Sequence, residues 1–534
     1  MVVVGIQFYN YRYKNVRNPH FFITAISHTF QVSIEQPIFR DQFRHSFMIN
    51  PKRIIKNSIF ISSGLLIDGL ILFLIFVLIA RYLDVGLFGR FVFLVSLANI
   101  FQLFANGGIV NITVREIARK RENLQHIISA SLTLSWIFLG FIYLLLYLAL
   151  DFVLPEAELK TTVCLLAGAA LIMVHAAIHA AVLRAHENMG RVALTALIHK
   201  STLLAGVSTA IYLDSSMIGI ALAYLFAAFI NWCILYIWVR TCYVRTQWCF
   251  DLGYWLFLIK QAIPLGLGLM LRRMTTHADT LLLTLLATAI AVGLFNSAYR
   301  VTQMLEVAFL ALSGVLFPVF SRLAKQSMLK FNQLYKHSLR FFIIFCTPLA
   351  IWLMLLSKEI ILIAYGEAFQ GSAHVLMVLS ASLFFIMPGS LFFSVFSALN
   401  KQHLFLILTA FSLSINVGLD FWLIPLFSNL GAAFATLIAE LLFFITGAIL
   451  LYKRGVSAVY HVIYTRCLVA CILPGILLHW STKSGDYWIM GLASVLYISI
   501  YFLFVYLFKL IPKDEWHFFC QLVKNQKESR PCSS

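Results

Sequence analysis

Apolar runs of about 20 residues recur along the chain from Ile59 to Phe508, separated by short polar breaks. They are continuous runs dominated by Phe, Leu and Ala, not an alternation of apolar and polar residues. A helix of that length spans the ~30 Å of bilayer hydrocarbon. Lipid accepts only helices and closed barrels, and unbroken apolar runs are helical. The pattern predicts about fourteen transmembrane helices, near residues 58–80, 88–111, 127–150, 162–183, 193–213, 217–239, 262–287, 291–317, 340–357, 373–398, 404–424, 430–452, 464–480 and 487–508. The expected fold class is all-α and polytopic.

One stretch departs from the apolar rule. Residues 266–325 read as two long helices joined by a turn, yet the first carries Arg272, Arg273, His277 and Asp279, and the second Arg300 and Glu306. A charge at mid-bilayer costs at least ~3 kcal/mol, so such residues face a bundle interior or a wet cavity. Arg272, Thr276 and Asp279 share one helix face, and Arg273, His277 and Thr280 the adjoining one. The planar guanidinium fork matches phosphate oxygens and stays charged, which makes Arg272 and Arg273 candidate contacts for a phosphate-bearing substrate. Arg300 is either a further cavity cation or the partner of Asp279 or Glu306. Asp279 and Glu306 read as structural pairing residues.

Further candidates lie elsewhere. His175 and His179 stand one turn apart on the fourth span, where they could shuttle protons or simply be satisfied interior histidines. Lys200 on the fifth span is a second cavity cation or snorkels to the interface. Asp68, on an otherwise apolar first span, is the main candidate for binding a coupling ion or proton. Asp420 and Glu440 read as paired or interfacial, and Gly431, Ala433 and Ala435 as close helix packing.

Composition agrees with the hydropathy. Over 534 residues, 61% are hydrophobic and 12% charged, a balance that excludes a soluble globular chain. The net charge of +18 would point to a polyanion if it were clustered, but it follows the loops. Alternate loops hold the basic groups Lys52–Lys56, Arg115–Arg121, Arg184 and Arg191, Arg240–Lys260, Arg322–Arg340, Lys401, Lys453 and Arg454, and the tail from Lys509. The opposite loops hold only Arg81, Arg90, Lys160, Lys358 and Lys483, beside acids that include Asp84, Asp214, Glu367 and Asp486. This positive-inside pattern predicts cytoplasmic termini and no nucleic-acid partner.

None of the nine cysteines falls in an acidic-set loop, so no disulfide is expected, and the Cys467/Cys471 pair lacks companions for a metal site. No cofactor is expected. No phosphate-binding Gly-Lys loop, metal-spaced His/Cys set or nucleophile elbow occurs, and the reading is of a non-enzyme.

The chain also repeats itself. Val85-Gly86-Leu87-Phe88 recurs as Val292-Gly293-Leu294-Phe295 at an offset of 207, which also relates Arg115 to Arg322. The segment from Gly219 to Leu225 resembles that from Gly431 to Leu437 at an offset of 212. Ordered matches at near-constant spacing indicate a tandem duplication. Six spans separate equivalent points, so the halves are parallel, an architecture that places a site between them at midplane. The expected organisation is an N-terminal extension over 1–50, six-helix lobes over 51–240 and 241–455, two additional helices over 456–510, and a cytoplasmic tail over 511–534. Residues 1–47 read as an upstream extension of a chain starting at Met48, or as a cytoplasmic tail.

Several of these segments carry a family resemblance. ARYLDVGLFGRFVF with VREIAR downstream, HADTLLL, VGLFNSAYR and LFPVFSRL, and YGEAF followed by the run from Ser397 to Leu442 resemble the polysaccharide-biosynthesis branch of the multidrug/oligosaccharidyl-lipid/polysaccharide (MOP) exporters, which includes the O-antigen flippases. The resemblance covers roughly residues 50–455. It implies two six-helix lobes in a V around a central cavity. It also implies carriage of a polyprenyl-pyrophosphate-linked oligosaccharide across the inner membrane for O-antigen, capsule or exopolysaccharide. A lipid-linked oligosaccharide and membrane lipid are the implied partners, with a polysaccharide polymerase and a chain-length regulator alongside. Two rivals stand: a drug/cation antiporter of the same superfamily, which Asp68 favours, and a membrane-bound polymerase or transferase, which the short outer loops disfavour.

Overall fold

The structure, a computed structural model, describes residues 51–119, 123–153, 156–456, 461–483, 485–508 and 510. The expected N-terminal extension over 1–50 and the expected tail over 511–534 lie outside the described residues. The described residues form seventeen α-helices and no strand. The first half runs α1 (Pro51–Tyr82), α2 (Val85–Asn106), α3 (Ile109–Arg119), α4 (Leu124–Val153), α5 (Ala157–Ala185), α6 (Met189–Tyr212) and α7 (Met217–Cys242). There follow α8 (Leu252–Leu286), α9 (Ala289–Gln326), α10 (Met328–Leu355), α11 (Ser357–Tyr365), α12 (Ser372–Gly389), α13 (Leu391–Ala398), α14 (Gln402–Phe427) and α15 (Asn429–Tyr452). The chain closes with α16 (His461–Thr482) and α17 (Tyr487–Leu507).

Thirteen helical spans among the described residues are long and apolar enough to cross a membrane. The chain is a multi-pass membrane protein. The span expected at 262–287 falls on α8, which is 35 residues long. The loop acids have a local job as well as a place in the charge pattern. Asp84 accepts from the Leu87 N–H at 2.7 Å and caps α2, and Asp486 caps α17. Asp251 caps α8 through the Tyr254 N–H, and this bond, with His126 at 3.1 Å, holds its carboxyl below the ordinary carboxylate value.

In the first half α5 is the hub, packing on α2, α3, α4, α6 and α7. In the second, α12 sits among α9, α10 and α15, and α14 pairs with α15. Helix α8 belongs to both halves. Leu258 and Ala262 bury into the first half, and Trp255 Nε1 donates to the Ala130 carbonyl of α4 at 3.1 Å. Its other end packs on α14 and α15. Close approach is needed where the α2–α3 break meets α8: a Cβ on Gly266 would lie 2.4 Å from the Gly107 carbonyl oxygen, and Gly108 has φ +89°.

At the end bearing the acidic loops, the halves meet through the first turns of α2 and α9. A Cβ on Gly89 would lie 1.9 Å from the Ala289 carbonyl oxygen, and one on Gly293 2.2 Å from that of Val85. Phe88 stands edge-on to Phe369 at 5.7 Å. Arg81 donates to the carbonyls of Ile363 and Ala364. This end is therefore closed over the interior.

The last two helices dock through a proline device. Pro348 in α10 has no N–H, which orphans the Ile344 carbonyl four residues earlier. Tyr501 of α17 donates its hydroxyl to that carbonyl at 2.7 Å. Pro388 in α12 orphans the Phe384 carbonyl in the same way, and Tyr464 of α16 donates to it at 2.5 Å. Each hydroxyl thus supplies the donor that proline withholds.

Tyr501→Phe is expected to lower stability by about 1–3 kcal/mol, the cost of a buried unsatisfied carbonyl. Adding Pro348→Ala, whose N–H reaches Ile344 within α10, is expected to recover most of that loss. Thermal midpoints of the two single variants and the double variant in detergent check the cycle, and strictly additive losses would contradict the pairing.

Candidate functional site

A cavity of about 290 Å³ lies between α1, α2, α5, α6, α7 and α9, with Asn99, Gln102, His199, Lys200, Tyr224 and Arg300 in its walls. Lys200 Nζ stands 3.7 Å from Asp68 Oδ1. The Arg300 guanidinium sits 3.8 Å over the Phe76 ring and donates from Nη1 to Gln303 Oε1 at 2.6 Å. Its Nε has no hydrogen-bond partner among the described residues. Cation–π contact of a desolvated guanidinium is worth ~2 kcal/mol and leaves Nε to meet an anion. Among the described residues no ion pair joins Arg300 to Asp279 or Glu306, the partners that spacing allowed.

The two arginines adjacent in sequence part company. Arg272 turns to the second half, where its Nη1 pairs with Glu440 Oε1 at 3.0 Å and its guanidinium lies 5.1 Å over Phe443. Glu306 lies within the field of the same pair. Arg273 is exposed and stands within the field of Arg184 on α5 and of His277 on its own helix. His277 in turn feels Arg300, and Arg300 feels Lys200. A run of basic side chains, Arg184, Arg273, His277, Arg300 and Lys200, thus leads from the basic end into the bundle. Only Lys200 has an acid at ion-pair distance among the described residues, Asp68.

Asp279 lies elsewhere, in a buried carboxyl cluster. Thr436 Oγ1 donates to its Oδ2 at 2.8 Å, and Asp420 and Asn416 adjoin it. Asp279, Asp420 and Asn416 are 4%, 0% and 1% exposed. Both Asp420 oxygens, Asp279 Oδ1 and both polar atoms of the Asn416 side chain have no hydrogen-bond partner among the described residues. Two adjoining carboxyls in a dry interior cannot both remain bare anions; a shared proton or a cation must intervene. The spacing in sequence offers Arg300 as a partner for Asp279 and names none for Asp420. The missed signal was Asn416 and Asp420 at i and i+4, one polar face on an apolar helix.

His175 and His179 are also apart from the central cavity. They sit on α5 among Trp136, Trp232 and Tyr236, with His179 Nδ1 3.1 Å from the His175 carbonyl oxygen.

Solved structures share the architecture. The lipid II flippase MurJ in an inward closed conformation has a TM-score of 0.69 at 16% identity, covering 84% of this chain and 98% of its own. An inward-facing multidrug resistance MATE family transporter has 0.61 at 18%, covering 79% and 99%. A MOP superfamily transporter from Pyrococcus furiosus has 0.57 at 20%, covering 75% and 96%. No curated protein sequence matches the chain at a significant level. The fold is therefore that of the MOP superfamily transporters. Within it, a sequence profile described as polysaccharide biosynthesis protein matches residues 54–324, half of the chain, and the chain belongs to that family.

Glu440→Gln is expected to destabilise the protein by about 1–3 kcal/mol, below the full cost of breaking a buried pair because Arg272 is a third exposed. Arg272→Met in the same chain removes the orphaned cation and is expected to recover part of the loss. Thermal midpoints around the double-mutant cycle measure the coupling, and zero coupling would remove the pair from the packing account.

Proposed function

We propose that the protein is a flippase for a polyprenyl-pyrophosphate-linked oligosaccharide destined for surface polysaccharide, working by alternating access and not as an enzyme. The observation that carries this reading is the run of basic groups from Arg184 through Arg273, His277 and Arg300 to Lys200, most of it without acid partners in a membrane interior. Cations are costly there, and a diphosphate offsets that cost with bidentate charge-assisted hydrogen bonds. The glycan and diphosphate enter from the basic end while the polyprenyl tail stays in lipid. The diphosphate displaces Asp68 from Lys200, so substrate binding frees a carboxylate. An antiporter reading needs Asp68 available for a coupling ion in the resting state, and its 3.7 Å contact with Lys200 weighs against that.

In this reading the chain is two parallel six-helix lobes, over 51–240 and 241–455, with α16 and α17 outside the repeat. The two copies of one repeated motif begin or nearly begin their helices, Val85 in α2 and Val292 in α9, which supports it. The basic end faces the cytoplasm of an inner-membrane protein, as do both termini. The Asp279–Asp420 cluster is the stronger candidate for coupling, because binding of a proton or cation there changes a buried charge and so can bias one lobe arrangement over another. A polysaccharide polymerase and chain-length regulator are the partners that such a carrier would serve.

Arg300→Ala and Arg273→Ala are each expected to cut lipid-oligosaccharide translocation in reconstituted vesicles at least tenfold while the protein still inserts, with Lys restoring only part because it lacks the fork. Wild-type translocation by the double Ala variant would overturn the substrate assignment. Asp420→Asn is expected to leave substrate binding intact and abolish the response of translocation to an imposed ion gradient; an unchanged response removes the cluster from coupling. Cysteines at 214 and 486 are expected to react with an impermeant reagent from outside and those at 119 and 453 to be protected, and labelling at 119 would reverse the orientation.

A further inference from the structure

The first half holds a second pocket, of about 220 Å³, that shares no lining residue with the central cavity. It lies between α4, α5, α7 and the loop before α8, walled by Trp136, His175, His179, Trp232, Tyr236 and Trp248. The two histidines are 3% and 1% exposed. A carbonyl oxygen only accepts, so the 3.1 Å contact with the His175 carbonyl puts the proton of neutral His179 on Nδ1. Its Nε2 is then a bare acceptor, buried and without a partner among the described residues. Trp232 Nε1, which can only donate, is buried and unpartnered in the same sense, and so is His175 Nδ1. Buried polar atoms are rarely left unpaired, so the pocket carries an unmet demand for both a donor and an acceptor. A hydroxyl meets both at once.

The rings narrow the ligand further. Trp232 and Tyr236 are nearly parallel at 5.7 Å and 23°, and Trp136 stands edge-on to His175 at 4.4 Å. Such faces suit the C–H surface of a polyol or sugar ring. Beside Tyr236, the exposed Arg240 donates to its hydroxyl at 2.8 Å and lies 5.8 Å from its ring centre, in reach of a phosphate. No carboxylate lines the pocket, and a quaternary ammonium would leave His179 Nε2 and Trp232 Nε1 unpaired. Trp136 and Trp248 are 42% and 69% exposed, which makes the mouth accessible from outside the bundle.

We propose that this pocket binds the polyhydroxyl head group of an anionic lipid, its hydroxyls between Trp232 Nε1 and His179 Nε2 and its phosphate beside Arg240. The site is separate from the translocation cavity and does not depend on the flippase reading. Two lipids carry this chemistry, phosphatidylglycerol and a phosphate-linked sugar lipid.

Maltoside detergents present hydroxylated rings themselves, so the full-length protein is measured in phosphatidylcholine nanodiscs. Dihexanoyl phosphatidylglycerol and geranyl phosphate glucose are titrated, with dihexanoyl phosphatidic acid as the probe lacking hydroxyls, and adducts are read by native mass spectrometry. At least one polyol probe is expected to bind tenfold or more tightly than phosphatidic acid, and the tighter of the two names the source. Trp232→Phe removes the indole N–H together with part of the ring, and His179→Phe removes both imidazole nitrogens while keeping an aromatic ring. Each is made in an Arg300→Ala background, so that phosphate-linked lipid held in the central cavity is not counted, and a tenfold loss relative to Arg300→Ala alone is expected from either. If His179→Phe does not fold, Trp232→Phe carries the test. Equal binding of phosphatidic acid, or binding unchanged by Trp232→Phe in that background, would each overturn the proposal.

Discussion

Hydrocarbon offers no partner to a polar group, and that constraint organises the whole molecule. It makes the chain helical, and it decides where the exceptions go. Carbonyls orphaned by Pro348 and Pro388 are met by the hydroxyls of Tyr501 and Tyr464, so the two terminal helices are held by the defects of their neighbours. The same rule gives three intramembrane cations their partners. Arg272 finds Glu440, Lys200 finds Asp68, and Arg300 settles on the face of Phe76.

Charge is distributed unequally between the two halves around the interior. The cations that line the approach and the cavity come from α5, α6, α8 and α9, whereas Asp279, Asp420, Glu306 and Glu440 gather toward α14 and α15. Helices α8 and α9 contribute to both sets. Arg272 and Arg273 are neighbours in sequence but differ in direction by about 100° on a helix, and so fall on opposite sides of this division. A ligand acting on either set therefore acts on helices that also carry the other.

The helical runs and the loop charges were legible from hydropathy because lipid imposes them locally, residue by residue. The helix ends were less so: α1 begins at Pro51 and α9 runs on to Gln326, beyond their apolar windows, since hydrogen bonding continues into the polar interface. Of the site, the basic character of α8 and α9 was readable and its partition was not. That Asp279 meets Asp420 and not Arg300 depends on which helix packs beside α8, a matter of tertiary contact between segments 141 positions apart. Asp68 looked isolated for the same reason, its partner Lys200 lying five helices on, in α6. The histidines of α5 were visible as a pair, but the tryptophans around them come from α4, α7 and a loop.

Helix α8 constrains the mechanics of the whole. It is clamped to the first half around Trp255 and Ala262 and to the second around Arg272 and Asp279, only a few turns apart. The halves are therefore not two free rigid bodies with six relative degrees of freedom. A continuous helix resists stretching far more than bending, so the separation of its two clamps is nearly fixed. What remains is flexure and twist along the intervening turns of the helix. Motion at the acid-bearing end therefore loads that short strut as well as the α2–α9 contact.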